Sequence, residues 1–147
     1  MPDMPRAPQG ATGTAVSAET AFVLDADEAR LLAEIGLLAA AAGDVARAGT
    51  IFGALRQVRP TRAYPSIGLA VAYMNAGQAA QAVQLLENAP AADAGELGTL
   101  HAWRGLALQL SGRNAESRRV LQAVAGQDGE GARLARSLLG LDSSQTT

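Results

Sequence analysis

Apolar residues recur along most of the chain at spacings of three and four, which is the periodicity of an amphipathic α-helix. Short breaks that contain Gly or Pro divide this pattern into separate segments. The pattern predicts three pairs of helices and a seventh helix, at about 27–42, 46–57, 65–76, 79–87, 97–110, 115–125 and 132–139. At 14–24 the sequence leaves open whether a short helix forms or the chain is only a tail.

The helix pairs are predicted to be copies of one unit. The turn glycines Gly43 and Gly77 lie 34 positions apart, and Gly77 and Gly112 lie 35 apart. Small residues recur where two helices must approach closely, and larger apolar residues recur where the space between neighbouring units must be filled. These recurring positions are Gly36, Ala70 and Gly105, then Ala48, Ala82 and Ser117, then Phe52, Leu86 and Leu121. A helix–turn–helix unit of this period is similar to the tetratricopeptide repeat.

The repeats define the expected domain organisation. We expect an all-α fold, in which three tetratricopeptide-type helix-turn-helix repeats at about 29–62, 63–96 and 98–131 form a short right-handed solenoid. A capping helix at 132–140 is expected to cover the apolar end of the last repeat, because one unit cannot bury its own face. This domain would span 25–141, between a flexible tail at 1–24 and a disordered end at 142–147.

Composition and charge argue against catalysis and favour a soluble interaction module. The 147 residues include no cysteine and a single histidine, so the chain offers few side chains for thiol catalysis, for a Ser-His pair or for a zinc site. We therefore expect neither a metal nor a cofactor. The net charge of -2 gives no electrostatic footprint for nucleic acid. The longest apolar stretch is too short to insert into a membrane, and no secretory signal is visible, so we expect a cytoplasmic protein.

The first helices of the repeats carry an apolar stripe on the face that a solenoid turns inward. A solvated groove would not be lined by Leu, Ile, Val and Met, so the stripe predicts a site for an apolar segment of another protein, in extended or helical form. The predicted partner-binding residues are Leu37, Tyr64, Ile67, Val71, Met74, Asn75, Ala102, Leu106 and Gln109. The stripe is equally consistent with buried core, or with a groove covered by the N-terminal tail or by a second copy of the chain when no client is bound.

Other candidate residues have simpler explanations. His101 falls at a core-facing position, and Asp93 and Glu96, predicted to lie in a loop, have no metal-ligand spacing. Trp103 is either a surface anchor for a partner or part of the core. Three arginines cluster near one helix end, namely Arg56, Arg59 and Arg62. We interpret them in the first place as a solvated helix terminus, where cations are favoured, and in the second place as a contact for an acidic partner.

Three short blocks resemble a known family. The blocks 48–55, 67–70 and 75–78 (AGTIFGAL, IGLA and NAGQ) are similar to the small tetratricopeptide chaperones of bacterial type III secretion systems. The resemblance implies a chaperone that holds a secretion substrate, either a translocator or the needle subunit, before export. It implies that Tyr64, Ile67, Val71, Met74 and Leu106 contact the substrate, with a co-chaperone as another partner. The alternative is a structural adaptor that docks through its outer or arginine-bearing surface.

Overall fold

The computed structural model describes residues 24–141, and the regular secondary structure of this part is entirely helical. Seven helices follow one another along the chain. They are α1 (Ala26–Ala41), α2 (Val45–Val58), α3 (Tyr64–Asn75), α4 (Ala79–Glu87), α5 (Ala94–Leu110), α6 (Asn114–Ala125) and α7 (Glu130–Leu138). The predicted flexible tail, the helix at 14–24 and the disordered end at 142–147 lie, apart from Leu24, outside the described residues.

Two helices begin two or three residues earlier than the apolar pattern predicted, whereas the other starts agree within one residue. The helix α5 begins at Ala94 instead of 97, because the Asp93 carboxylate accepts the backbone N–H of Glu96 and caps the first turn. The prediction that Glu96 lies in a loop was therefore wrong. The helix α7 begins at Glu130 instead of 132, directly after Gly129. Polar first turns carry no apolar periodicity, and for this reason the pattern missed both starts.

The helices form a solenoid of antiparallel pairs. Each helix packs against the next along the chain. The first helix of each pair (α1, α3 and α5) and the capping helix α7 also contact one another in that order, and we call these four the first helices. Among the described residues, the second helices α2, α4 and α6 contact only first helices and never each other. The row of first helices is thus the tighter side of the stack, and we call it the inner face. The predicted all-α repeat architecture is confirmed.

Glycine makes the turn inside each helix pair. Gly43, Gly77 and Gly112 have positive φ angles of 71°, 78° and 86°, a region that residues with a Cβ atom rarely adopt. At the first of these turns, the N–H groups of Gly43 and Asp44 donate to carbonyl oxygens in the last turn of α1. The equal spacing of these glycines along the sequence therefore reflects one turn geometry used three times.

Phe52 is the centre of the first part of the core. The ring is 1% exposed and lies between α1 and α3, in space left free by two glycines. A Cβ atom would lie 2.8 Å from the Phe52 ring at Gly36 and 2.3 Å from it at Gly68. Small residues on both first helices therefore let them close around this one large side chain.

The capping helix α7 closes the other end of the stack. It packs on both α5 and α6, and Ala135 of α7 is fully buried with Leu121 and Val124 of α6. The contact with α5 is a backbone contact, because a Cβ atom on Gly131 would lie 2.4 Å from the carbonyl carbon of Gly98. The cap thus occupies the place that the first helix of a fourth repeat would take.

No helix within residues 24–141 is both long enough and apolar enough to cross a lipid bilayer.

Candidate protein-binding groove

The inner face presents apolar side chains that the core only partly covers. Leu37 of α1 is 49% exposed, and Val71 of α3 and Leu106 of α5, at the same position of the next two repeats, are half-buried. Tyr64, Ile67 and Met74 of α3 are half-buried as well. These six residues, which we call the groove residues, keep part of their apolar surface exposed, where a ligand can contact it.

The row of first helices is least continuous between α3 and α5. These two helices make far fewer contacts than α1 makes with α3 or α5 makes with α7. A cleft of about 370 Å³ lies near their N-terminal ends. Tyr64 and Ile67 line one wall, Glu96 and Thr99 line the other, and Glu130 of α7 contributes at the rim. The groove therefore has an apolar floor along α3 and a polar opening at one end.

Three predicted partner-binding residues have positions that differ from the expectation. Ala102 is fully buried in the cluster that α6 and α7 form, so its assignment as a contact residue was wrong. The side-chain amide of Asn75 donates to the carbonyl oxygen of Ala40 at 2.9 Å and links α3 to α1. Gln109 lies in a separate cleft of about 320 Å³ with Leu121 and residues of α7.

A network around Glu96 fixes the polar end of the groove. Its carboxylate accepts the backbone N–H groups of Ala63 and Ala92, both at 3.0 Å, and forms an ion pair with Arg62. The Arg62 guanidinium lies 5.7 Å from the centre of the Tyr64 ring, within the range of a cation–π contact. One carboxylate thus joins the start of α3, the α4–α5 connection and the start of α5.

These contacts determine how Glu96 titrates. Burial raises the pKa of the carboxyl, but the N–H groups of Ala92 and Ala63 and the Arg62 guanidinium lower it more, so the pKa of Glu96 lies below its ordinary value. A carboxyl group whose pKa is lower in the folded than in the unfolded state stabilises the fold at any pH above its unfolded-state pKa. This contribution is lost as the pH falls through the folded-state pKa.

We expect the substitution Glu96→Gln to lower the free energy of unfolding at neutral pH by about 1–2 kcal/mol, because charged hydrogen bonds are replaced by weaker neutral ones. The difference from the parent protein should narrow as the pH falls below 4.5, the ordinary value for the carboxyl, since the parent then loses its charge too. Urea unfolding at a series of pH values measures this, with the exposed Glu87→Gln as the matched control. A difference that stays constant with pH would contradict the assigned role.

Sequence reasoning missed the Glu96 network, although part of its signal was present. Asp93 and Glu96 have the spacing of a helix-capping pair, which predicts the start of α5. The contact with Arg62 spans 34 positions, one repeat length, and no local pattern contains it.

The remaining candidates have structural surroundings. His101 is half-buried, and burial together with the nearby Arg104 guanidinium lowers its pKa. Trp103 is also half-buried and packs against the cluster formed by α3, α4 and α5, so it belongs in part to the core. Within residues 24–141, no three His, Asp or Glu side chains are grouped so that they could hold a metal ion.

The arginine cluster lines a second cleft that none of the groove residues borders, although Arg62 also contacts Tyr64 at the groove. Arg56, Arg59 and Arg62 line a cleft of about 380 Å³ together with Pro60 and Pro90. Arg56 and Arg62 are exposed, Arg59 is half-buried, and Arg62 is shared with the Glu96 network.

Comparison with known proteins supports the repeat assignment. Residues 39–104, from the end of α1 to the middle of α5, match a family model described as a tetratricopeptide repeat. Neither a search of curated proteins nor a search of solved structures found a match to the chain. Tetratricopeptide domains are in general non-catalytic scaffolds that bind other proteins. The helix pairs and the turn glycines of the described residues agree with this match, so the chain is similar to tetratricopeptide-repeat proteins over residues 39–104.

Proposed function

We propose that the protein is a chaperone that holds an apolar segment of another protein in the groove on its inner face. The observation that supports this is the repetition of a large, incompletely covered apolar side chain at one repeat position, namely Leu37, Val71 and Leu106. A side chain needed only for the core would be buried, and one needed only for solubility would be polar. Repetition over three units gives a row of contacts suited to an elongated ligand.

The proposed client is a secretion substrate of the type III pathway, a translocator or the needle subunit, bound in the cytoplasm before export. The resemblance of residues 48–55, 67–70 and 75–78 to chaperones of that pathway supports this choice. The chemistry of the groove is compatible with it, because the chain contains no lysine to grip a peptide carboxylate and the groove floor is apolar. Burial of client apolar surface at roughly 25 cal/mol per Å² supplies the binding free energy, reduced by the cost of ordering the client.

A second candidate function rests on the arginine cleft. Three guanidinium groups around one concavity would suit an acidic segment of a partner, as expected for an adaptor in a larger complex. Substituting Arg56→Glu together with Arg59→Glu should then remove partner binding, whereas the chaperone function predicts that these changes leave client binding intact.

Co-expression tests the proposal directly. The protein is produced together with each translocator and with the needle subunit encoded in the same genome, and soluble complexes are isolated through a tag on the chaperone. We expect at least one of these substrates to be soluble only in the presence of the protein. If every one of them is equally insoluble with and without it, the secretion-chaperone proposal is wrong.

A further inference from the structure

The first helix carries a second apolar surface that is separate from the groove. Leu31 is 58% exposed, Ile35 43% and Leu38 73%, and their spacing places them on one side of α1. This side, which we call the α1 edge, is turned away from the buried Gly36 and Ala40 that pack against the rest of the domain.

The repeats show what the α1 edge is built to contact. The residues at the same positions of α3 are Pro65, Leu69 and Ala72, all of which are buried. Leu69 and Ala72 belong to one core cluster with Ala48, Phe52 and Leu55 of α2, the second helix of the preceding repeat.

The third repeat uses two of these three positions in the same way, and the third position is the half-buried Arg104. Leu100 and Ala107 of α5 are buried in one cluster with Val83 and Leu86 of α4. A first helix in this solenoid therefore uses this side to bind the helix that precedes it along the chain. Within residues 24–141, α1 has only α2 and α3 as neighbours, so its edge is a stacking surface without its expected helix.

We propose that residues 14–23 of the same chain bind to the α1 edge, in the place that α2 takes against α3. The chain enters α1 through Leu24 and the N-cap Asp25, so this segment is tethered directly beside the surface. Two residues, Leu24 and Asp25, separate the segment from α1, and because loops of about two to five residues join antiparallel helices in αα-hairpins, a connection of this length can bring the segment back along α1. Tethering replaces a bimolecular association by an intramolecular one with a high effective concentration.

The composition of the segment fits the α1 edge better than a second copy of α1 does. The sequence TAVSAETAFV, residues 14–23, is mainly small and apolar residues and contains a single charge, Glu19. A second copy would bring Asp27, Glu28 and Glu34 of its own α1 against the same three carboxylates, with only Arg30 to offset them. Like charges brought together in this way oppose association. This inference concerns a different surface from the groove and does not depend on the proposed function.

Limited cleavage by chymotrypsin after Phe22 tests the contact in the full chain. The double variant Leu31→Asp with Leu38→Asp should be cleaved at least about tenfold faster than the parent, corresponding to about 1.4 kcal/mol of docking free energy. The matched control is Leu97→Asp with Leu141→Asp, which alters two other exposed leucines and should leave the cleavage rate unchanged. Circular dichroism establishes that all variants remain folded.

A second variant places the change on the segment instead of on α1. Ala18→Asp should accelerate cleavage to a similar extent, and combining it with the two α1 substitutions should give no further increase, because all three changes break the same contact. Equal cleavage of the parent and the α1 variant would overturn the proposal. Light scattering that shows a dimer of the parent, reduced to a monomer by the α1 substitutions, would also overturn it and would assign the edge to a second copy.

Discussion

Replacing Leu37 and Leu106 together by aspartate is expected to weaken client binding by about 100-fold or more while leaving the fold intact. Both side chains are incompletely covered and occupy the same repeat position at the two ends of the row of groove residues. A client segment in the groove would bury two carboxylates without partners, and changes at central apolar contacts of an interface commonly cost about 2 kcal/mol each. Leu37 is 49% exposed and Leu106 is half-buried, so part of each position is open to water, which solvates the new charges in the free protein.

The measurement is titration calorimetry with the substrate that co-expression identifies. Leu97→Asp with Leu141→Asp serves again as the control, because it adds the same charge at exposed leucines that are not groove residues. Unchanged affinity in the Leu37 and Leu106 variant would show that the client binds elsewhere. Loss of affinity in Arg56→Glu with Arg59→Glu instead would select the arginine cleft.

Phe52→Ala is expected to produce the largest loss of stability, a decrease of about 3–5 kcal/mol in the free energy of unfolding. The ring fills the space between α1 and α3 that Gly36 and Gly68 leave open, so its removal leaves a cavity that only a movement of whole helices could close. Domains of this size are stabilised by about 5–15 kcal/mol in total, so the variant should be close to unfolding.

Urea unfolding followed by the fluorescence of Trp103 measures this loss. Phe52→Leu is the informative comparison, because it restores part of the volume and should recover a large part of the stability. Leu141→Ala, at an exposed position, should change the free energy of unfolding by less than about 0.5 kcal/mol. A loss below about 1 kcal/mol for Phe52→Ala would mean that the first two repeats do not pack around this ring.

Much of the fold could be predicted from the sequence because its determinants are local and repeated. The glycine turn at Gly77 follows from backbone geometry, and the burial of Phe52 and Leu86 follows from helical periodicity combined with the repeat. The bounds of α4 agree with the pattern at both ends, since Gly77 and Gln78 precede it and a proline-containing connection follows.

The site could be predicted only in part, because periodicity gives the direction of a side chain and not the distance to its neighbour. Ile67 and Ala102 hold the same repeat position, yet Ile67 lines the cleft between α3 and α5, while Ala102 is sealed by α6 and α7. The difference arises because α7 packs closely on α5, whereas α5 stands further from α3. Long-range contacts of this kind, like the one between Arg62 and Glu96, have no signature in a single sequence.

The sparse contact between α3 and α5 has a mechanical consequence for ligand capture. Apart from this contact, the first two repeats and the last repeat with its cap are joined through the packing of α4 on α5 and through the Glu96 network. Few residues of α3 and α5 contact each other directly, although Ala70 of α3 shares a core cluster with Leu86 of α4 and Leu100 of α5. Widening this gap would loosen that cluster, whereas widening the gap between α1 and α3 would expose the Phe52 ring. If the groove binds client segments as proposed, segments of different thickness would be accommodated at this inter-helix spacing, and discrimination among them would fall to the groove residues on either side.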